Sequence, residues 1–431
     1  MTALEPPTAG CPRLDHYDPL SPEELLDPYP TWERARDQAP VFCEQSLGLW
    51  FITRYEDVIQ AIRDTATFSS AFGGVTRVDG LPQKRRPELE RAVAGGYPDG
   101  TRFLVMTDAP AHHARRKLAQ QAFTPSRVAK LETRIQSIAD ELCDACEVSR
   151  NPDLMRDFAY PLTTQVIAAI LGLGPEIALR MRQVAEDLLV VNAPPRGSMS
   201  KAEADDVVAR AHRISVMHAD VQTVLRQRRA EPKEDVLSAL ASAMIEDGQS
   251  LDDEDILALV AEMILAGTDT TANLIAQAVL FASTDRELWR RIGEHTDTAF
   301  DVVEEALRRR GSSKGLFRIT TRAVEVAGVQ IPKGAIVQLL YGSANHDERR
   351  FPDPRAFIPG RPGLDQHVAF GRGTHFCLGA PLARVESRIA LQTLSRRFPQ
   401  LRVVDESALH YLPTITTHTL ASLPLDLGAG Q

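Results

Sequence analysis

A mainly α-helical fold with a minor share of β structure is what the sequence predicts, and three observations carry it. Helical spacing of apolar residues dominates from Ser126 to Arg310. Alternating, β-like runs are short and confined to Leu49–Thr53 and Ala323–Leu340. A long apolar run, Ile256–Ala282, is interrupted by Glu262, Asp269, Asn273 and Gln277. Within the helical region, turn signals at Gly172–Pro175, Asn192–Ser200 and Glu231–Lys233 separate successive runs. Ser250 and Asp253 read as a capping box opening a long central helix that reaches about Ala282. In the later β-like stretch, Ala327-Gly328 and Pro332-Lys333-Gly334 supply the turns. Residues Ala71–Met106 show no clear period and are rich in Gly, Pro and charge, which reads as a long loop governing ligand access. No repeat or linker divides the 431 residues, so a single domain over 1–431 is expected, with 1–20 as a flexible leading segment.

Composition excludes several function classes. A formal net charge of -9 argues against nucleic acid as a partner, because phosphate neutralisation needs a clustered basic excess. Five cysteines at scattered positions, Cys11, Cys43, Cys143, Cys146 and Cys377, do not read as a disulfide framework, and a reducing, cytoplasmic setting is expected. Met1–Leu14 lacks the basic start and apolar core of a signal peptide. Glu262, Asp269, Asn273 and Gln277 interrupt the long apolar run, so no membrane span is expected. Cys143 and Cys146 form a C-x-x-C inside a helical run with no second pair nearby, which reads as packing rather than zinc binding.

Two segments carry chemistry. Phe370-Gly371-Arg372-Gly373-Thr374-His375-Phe376-Cys377-Leu378-Gly379-Ala380 surrounds one cysteine with glycines and feeds a helical pattern from Pro381 to Arg397. Backbone N–H groups and a helix N-terminus favour a thiolate there. A cysteine taken alone is more often a small core residue; the surrounding pattern sets this one apart. Midway along the long helix, Ala266-Gly267-Thr268-Asp269-Thr270-Thr271 places a glycine and three threonines where helix formers belong. Small Ala266 and Gly267 would let a flat group approach the backbone, while the hydroxyls can admit water. A tolerated kink is the bland reading of the same residues.

The cysteine loop closely resembles the signature of the cytochrome P-450 family: an aromatic-Gly-x-Gly start, a basic residue two before the cysteine and a glycine two after it. The resemblance runs from Asp27-Pro28-Tyr29-Pro30 to the closing segment Tyr411–Leu427. It implies a cytochrome P-450-like haem domain holding haem b, with Cys377 as the axial iron ligand, framed by Phe370 and Gly379. It implies O2 as co-substrate, with Asp269 relaying protons and Thr270 positioning water. His112, Arg116, Arg318 and His375 match the residues that pair with the haem propionates, and Ala266 and Gly267 those that line the ring. Glu305, Arg308 and Arg361 match a structural charge network. Leu316, Phe317, Ile415 and Thr416, the 71–106 loop and the Asn192–Ser200 turn are candidate walls of the substrate cavity.

The activity implied is monooxygenation: hydroxylation of a small to medium organic substrate, or O- or N-dealkylation when the attacked carbon bears oxygen or nitrogen. No G-x-G-x-x-G follows a strand, so neither bound flavin nor NAD(P) is expected. Electrons are expected from a ferredoxin or flavodoxin with its NAD(P)H-dependent reductase, docking on Arg115, Arg116, Lys117 and Arg372. Rival readings are coupling or dehydrogenation on the same haem, and a non-catalytic haem sensor; Asp269 and Thr270 weigh against the sensor. The chain departs from the family pattern in three places. Arg309–Phe317 lacks the usual Tyr and Pro, leaving Ser313 and Lys314 read as solvated, while His346 and Ile358 stand where Arg and Asp are common.

Overall fold

The structure is a computed structural model that describes residues 11–71, 78, 80–122, 125–191, 199–244, 248, 250–405 and 409–428, with side chains 121–128 left aside. Among these, 11–70, 132–161 and the residues from 270 onward form one compact unit, and 71–131 with 162–269 form a second. Both are dominated by helices.

All the β structure of the named strands lies in the first unit. Strands β1 (Val41–Glu44), β2 (Leu49–Ile52), β3 (Phe68–Ser69), β4 (Leu316–Thr320), β5 (Val324–Val326), β6 (Val329–Ile331) and β7 (Ile336–Leu339) precede a final pair, β8 (Arg402–Val403) and β9 (Leu425–Asp426). The main sheet has the order β1-β2-β7-β4-β3, parallel only between β2 and β7. β5 and β6 form a hairpin closed at Ala327-Gly328, and the Pro332–Gly334 signal marks the turn from β6 to β7. Alternation sorts the side chains. Val41, Cys43, Trp50, Ile52, Val337 and Leu339 pack into one core with Val58, Ile62 and Phe68. Phe42, Leu49 and Phe51 pack into another with Tyr17, Tyr29, Trp32 and Leu340. Cys11 and Cys43 are joined in a disulfide with Cα atoms 6.2 Å apart, which corrects the expectation that the cysteines stay unpaired. Cys143 and Cys146 are buried, and burial pushes their thiols up to about 12 and about 11, as inert packing residues require.

The long helix runs Asp253–Ala282, but its cap is Asp252, whose Oδ1 accepts from the Asp255 N–H at 2.7 Å; Ser250 instead bridges to Met244. By length and composition this helix could cross a membrane, yet 72% of its apolar window is buried inside the protein. The polar interruptions have local partners. Asn273 Oδ1 accepts from Leu420 N–H at 2.7 Å, and Gln277 Nε2 donates to the Tyr411 hydroxyl at 3.1 Å, so both anchor the C-terminal segment. Of the region expected as loop, 72–77 and 79 lie outside the described residues; the remainder contains a helix, Arg86–Ala92, and short turns at Gly100–Arg102 and Leu104–Met106.

The helix Ala380–Arg397 carries Glu386 on its buried side, with only 1% exposure and no partner for Oε2 among the described residues. Burial raises this carboxyl well above the usual carboxylate range. A raised folded pKa contributes stability that is whole below the unfolded carboxyl pKa and is lost as pH climbs towards the folded value. Urea unfolding should therefore show Glu386→Gln gaining on the wild type between pH 5 and pH 8, by about 1.4 kcal/mol per unit of raised pKa traversed. Parallel pH profiles for the two proteins would show that Glu386 is not protonated in the fold.

Candidate functional site

In the first unit, the residues around Cys377 form a tightly hydrogen-bonded loop. Gly371 and Gly373 adopt left-handed backbone angles, φ +66° and +64°, which glycine alone takes without strain. The Cys377 N–H donates to Phe370 O at 2.9 Å and folds the loop back on itself. Gly373–His375 make a 3-10 turn, and the helix Ala380–Arg397 begins three residues after the sulfur. Cys377 is half-buried, so its sulfur sits at a helix N-terminus with access to a ligand. A Cβ added at Gly379 would lie 3.9 Å from Cys377 Sγ, ordinary contact, so Gly379 is not forced by the sulfur.

Arg318 and Leu316 share one face of β4, and Phe317 points to the other. The Arg318 side chain is 2% exposed and donates to Phe317 O at 2.7 Å; it also bonds the buried Tyr341 hydroxyl, whose pKa burial raises and Arg318 opposes. Among the described residues no carboxylate forms an ion pair with it. A buried guanidinium without a counter-anion is costly, so this position calls for an anionic group from a ligand. Haem propionate meets that need, and with the half-buried sulfur the donor set fits a haem. His375 Nε2 lies 3.0 Å from Ser70 Oγ, at the end of β3. Nothing in the sequence distinguished Ser70; strand pairing of β3 with β4 brings it there.

The charge network on the helix Thr296–Arg310 is brought together completely. Glu305 Oε1 accepts from Arg308 Nη2 at 2.8 Å, Arg361 Nε at 3.1 Å and Ile358 N–H at 2.9 Å, while Oε2 accepts from Arg308 Nε at 2.9 Å. Ile358 thus serves through its backbone. His346 is buried, stacks on Tyr29 with ring centroids 3.9 Å apart and lies 3.2 Å from an Arg309 nitrogen.

Three expectations here need correcting. Lys314 is not solvated: it is 4% exposed, donates from Nζ to Thr414 O at 2.9 Å, and burial lowers its pKa to about 8. Phe317 and Ile415 pack against the core containing Tyr17, Trp32 and Leu340, which uses them as filling rather than as free cavity wall. Leu316, on the opposite face, packs against the Ile62–Phe68 core. Thr416 is half-buried and accepts from Lys314 N–H at 2.8 Å through its carbonyl.

In the second unit, His112 is fully buried on the helix Ala111–Ala122 and Arg116 is half-buried one turn later. Arg115 is held by Asp255 at 2.9 Å, so it is not a free cation for a partner; Lys117 is exposed. On the long helix Ala266 is exposed between less exposed neighbours, and Asp269 is 5% exposed. Gly267 serves packing instead of an open approach to the backbone: an added Cβ would meet Ile167 Cδ1 at 2.5 Å, so a side chain already fills that space. Thr163 Oγ1 donates to Thr268 O at 3.0 Å, and in the first unit Ser312 Oγ donates to Thr270 O at 2.5 Å. These two hydroxyls, which sequence reasoning missed, engage carbonyls in the turn that holds Asp269 and Thr270 while the helix stays continuous. Glu262, two turns before Asp269, accepts from the Leu104 and Val105 N–H groups at 2.7 and 2.9 Å, and burial still pushes it up to about 7. Most of the Asn192–Ser200 turn, 192–198, lies outside the described residues; Ser200 caps the helix Lys201–Ala230 with a capping box to Glu203.

Comparison with known proteins points one way. The profile of the family described as cytochrome P-450 matches residues 83–408. Cytochrome P-450 109 of Bacillus spizizenii is 34% identical over 90% of each chain. Erythromycin C-12 hydroxylase of Saccharopolyspora erythraea is 33% identical over 87% of this chain and 89% of its own. The solved structure of a cytochrome P-450 from Chondromyces apiculatus aligns with a TM-score of 0.80 at 30% identity, covering 95% of this chain and 97% of that one.

Substituting Gly267→Ala should destabilise the protein by about 1–3 kcal/mol through overpacking against Ile167. In an Ile167→Ala background the same substitution should become neutral or favourable, since alanine exceeds glycine in helix preference by about 1 kcal/mol. Equal costs in both backgrounds, measured by denaturant unfolding, would show that Ile167 is not what confines Gly267.

Proposed function

Because this chain belongs to the cytochrome P-450 family and is a haem-thiolate monooxygenase, we propose how its own residues divide that work. The observation that carries the proposal is the glycine-hinged loop presenting Cys377 at a helix N-terminus, in the same unit as a buried Arg318 with no carboxylate paired to it among the described residues. When bound, haem b supplies the iron at which O2 is reduced and from which one oxygen atom passes to a substrate C–H bond. The balance is one substrate, one O2, two electrons and two protons, giving hydroxylated product and water. Cys377 holds the iron as thiolate, and Phe370 and Gly379 frame that loop. His112 and Arg116 from one helix, Arg318 from β4 and His375 from the cysteine loop answer the propionate charge. Ala266 leaves room for the ring.

Asp269 is the residue that hands protons inward, and the Thr270 hydroxyl orients the water that receives them. Thr163 and Ser312 support this role by engaging carbonyls of the same turn. The whole of 1–431 is read as one haem domain. Its substrate is a small to medium organic molecule, hydroxylated or, where the attacked carbon bears oxygen or nitrogen, dealkylated. Thr416 remains the candidate wall residue least committed to core packing. The enzyme takes electrons from a separate redox partner, which we assign to a ferredoxin or flavodoxin served by an NAD(P)H-dependent reductase. That supply of reduced nicotinamide supports a cytoplasmic location.

Dithionite reduction under carbon monoxide should give the long-wavelength Soret band from which the family takes its name; Cys377→Ser should abolish it. Its absence in the wild type would overturn the thiolate assignment. With a turnover substrate in hand, Thr270→Ala should lower product formation by about 10²-fold and raise peroxide release in proportion. Unchanged coupling would remove Thr270 from proton delivery. Lys117→Glu should slow reduction by a ferredoxin and weaken its dependence on salt; identical rates and salt profiles would place docking elsewhere.

A further inference from the structure

Glu304, the residue before the charge-network carboxylate Glu305, takes part in none of the roles assigned above, yet it is 5% exposed and fully engaged. Successive residues on a helix point about 100° apart, so Glu304 faces a different neighbour from Glu305. Its Oε2 lies 3.1 Å from His367 Nε2 and 2.9 Å from Arg384 Nη2, and its Oε1 accepts from Arg384 Nε at 2.6 Å. Burial by itself would raise this carboxyl, but His367 and Arg384 together hold it at about 2. It is therefore an anion throughout the working range of pH.

Both partners lead to the thiolate loop, from opposite ends. His367 Nδ1 accepts from the Ala369 N–H at 3.2 Å, and since a backbone N–H can only donate, Nε2–H is the side that donates to Glu304. Ala369 immediately precedes Phe370, whose carbonyl receives the Cys377 N–H. Arg384 stands on the helix that follows the loop, with its guanidinium 4.7 Å from the Phe370 ring centroid. One buried carboxylate thus ties the approach to the loop, its first aromatic residue and the helix leaving it to a single point on the helix Thr296–Arg310.

We propose that Glu304, His367 and Arg384 are positioning residues for Cys377: they hold the two ends of its loop and set the electrostatic environment in which the thiolate meets iron. The inference rests on Cys377 being the iron ligand. Partners that orient a metal ligand from behind are worth about 10–100-fold in metal affinity. Glu304→Gln keeps the shape and removes the charge. The reduced, carbon monoxide-bound variant should convert from the long-wavelength to the shorter-wavelength band about tenfold faster than the wild type. Its midpoint reduction potential should move upward, because a fixed negative charge is lost. Loss of structure alone would not raise the potential of the fraction still showing the long-wavelength band. Arg384→Lys, which keeps the charge but loses the paired geometry, is a milder variant and should shift both quantities in the same sense by less. A wild type lacking the long-wavelength band would overturn the thiolate reading and this inference with it. A wild type that shows the band, with both variants matching its conversion rate and potential, would overturn the positioning role alone.

Discussion

Two adjacent buried carboxylates, Glu304 and Glu305, are what the catalytic side of the first unit depends on. Burying a carboxylate is expensive unless each oxygen is paired and hydrogen-bonded, so each of these fixes the groups around it. Glu305 draws Arg308, Arg361 and the Ile358 backbone to one place. Arg308 then reaches onward to the carbonyls of Asn345, Pro354 and Ala356, which determines the irregular chain between β7 and the cysteine loop. Asn345 in turn accepts from the Val368 N–H at 2.7 Å through Oδ1. Irregular backbone has no ladder to satisfy its polar groups, and here side-chain charge does that work.

The same accounting distinguishes structural from ligand-directed charge. Arg36, Arg308 and Arg361 are buried and each pairs with a glutamate, Glu348 or Glu305, while the buried Arg310 has the Leu26 carbonyl, the Tyr411 hydroxyl and the ring faces of Tyr29 and Tyr411. Arg318 is equally buried but finds one carbonyl and a tyrosine hydroxyl. Arg310 shares the lack of a carboxylate, so the reading of Arg318 as facing an anionic ligand rests also on its place in β4, next to the strand that leads to Ser70 and His375.

Departures from the family pattern are compensated locally. His346, in a place where arginine is common, stacks on Tyr29 and stays neutral, since burial and the neighbouring Arg309 and Arg308 lower its pKa well below the ordinary value. Lys314, in a segment without the usual Tyr and Pro, ties its chain to the 414–416 segment through Nζ and its backbone N–H. Lys314 thereby holds the entry to β4 against the C-terminal segment, and His346 fills its place without adding a full charge.

Local pattern determined a great deal. The helical class, the span Asp253–Ala282, the hairpin turns and the loop-to-helix setting of Cys377 all follow from periodicity, glycine placement and capping chemistry, which act over a few residues. The helix-spaced pair Glu305 with Arg308 was legible through its match to the family motif and its place in the order of motifs along the chain. Only the tertiary structure decided which residues meet across long separations. Ser70 beside His375, Glu304 beside His367 and Arg384, and Ile167 in the space left by Gly267 depend on strand pairing and helix packing that no local signal encodes. It also decided the sense of residues that looked alike in sequence: Lys314 is buried and Lys117 exposed, and Phe317 fills a core while Arg318, one residue on, turns to the other face of β4. A side chain's chemistry is written in the sequence, but its solvation is set by whatever the rest of the chain packs against it.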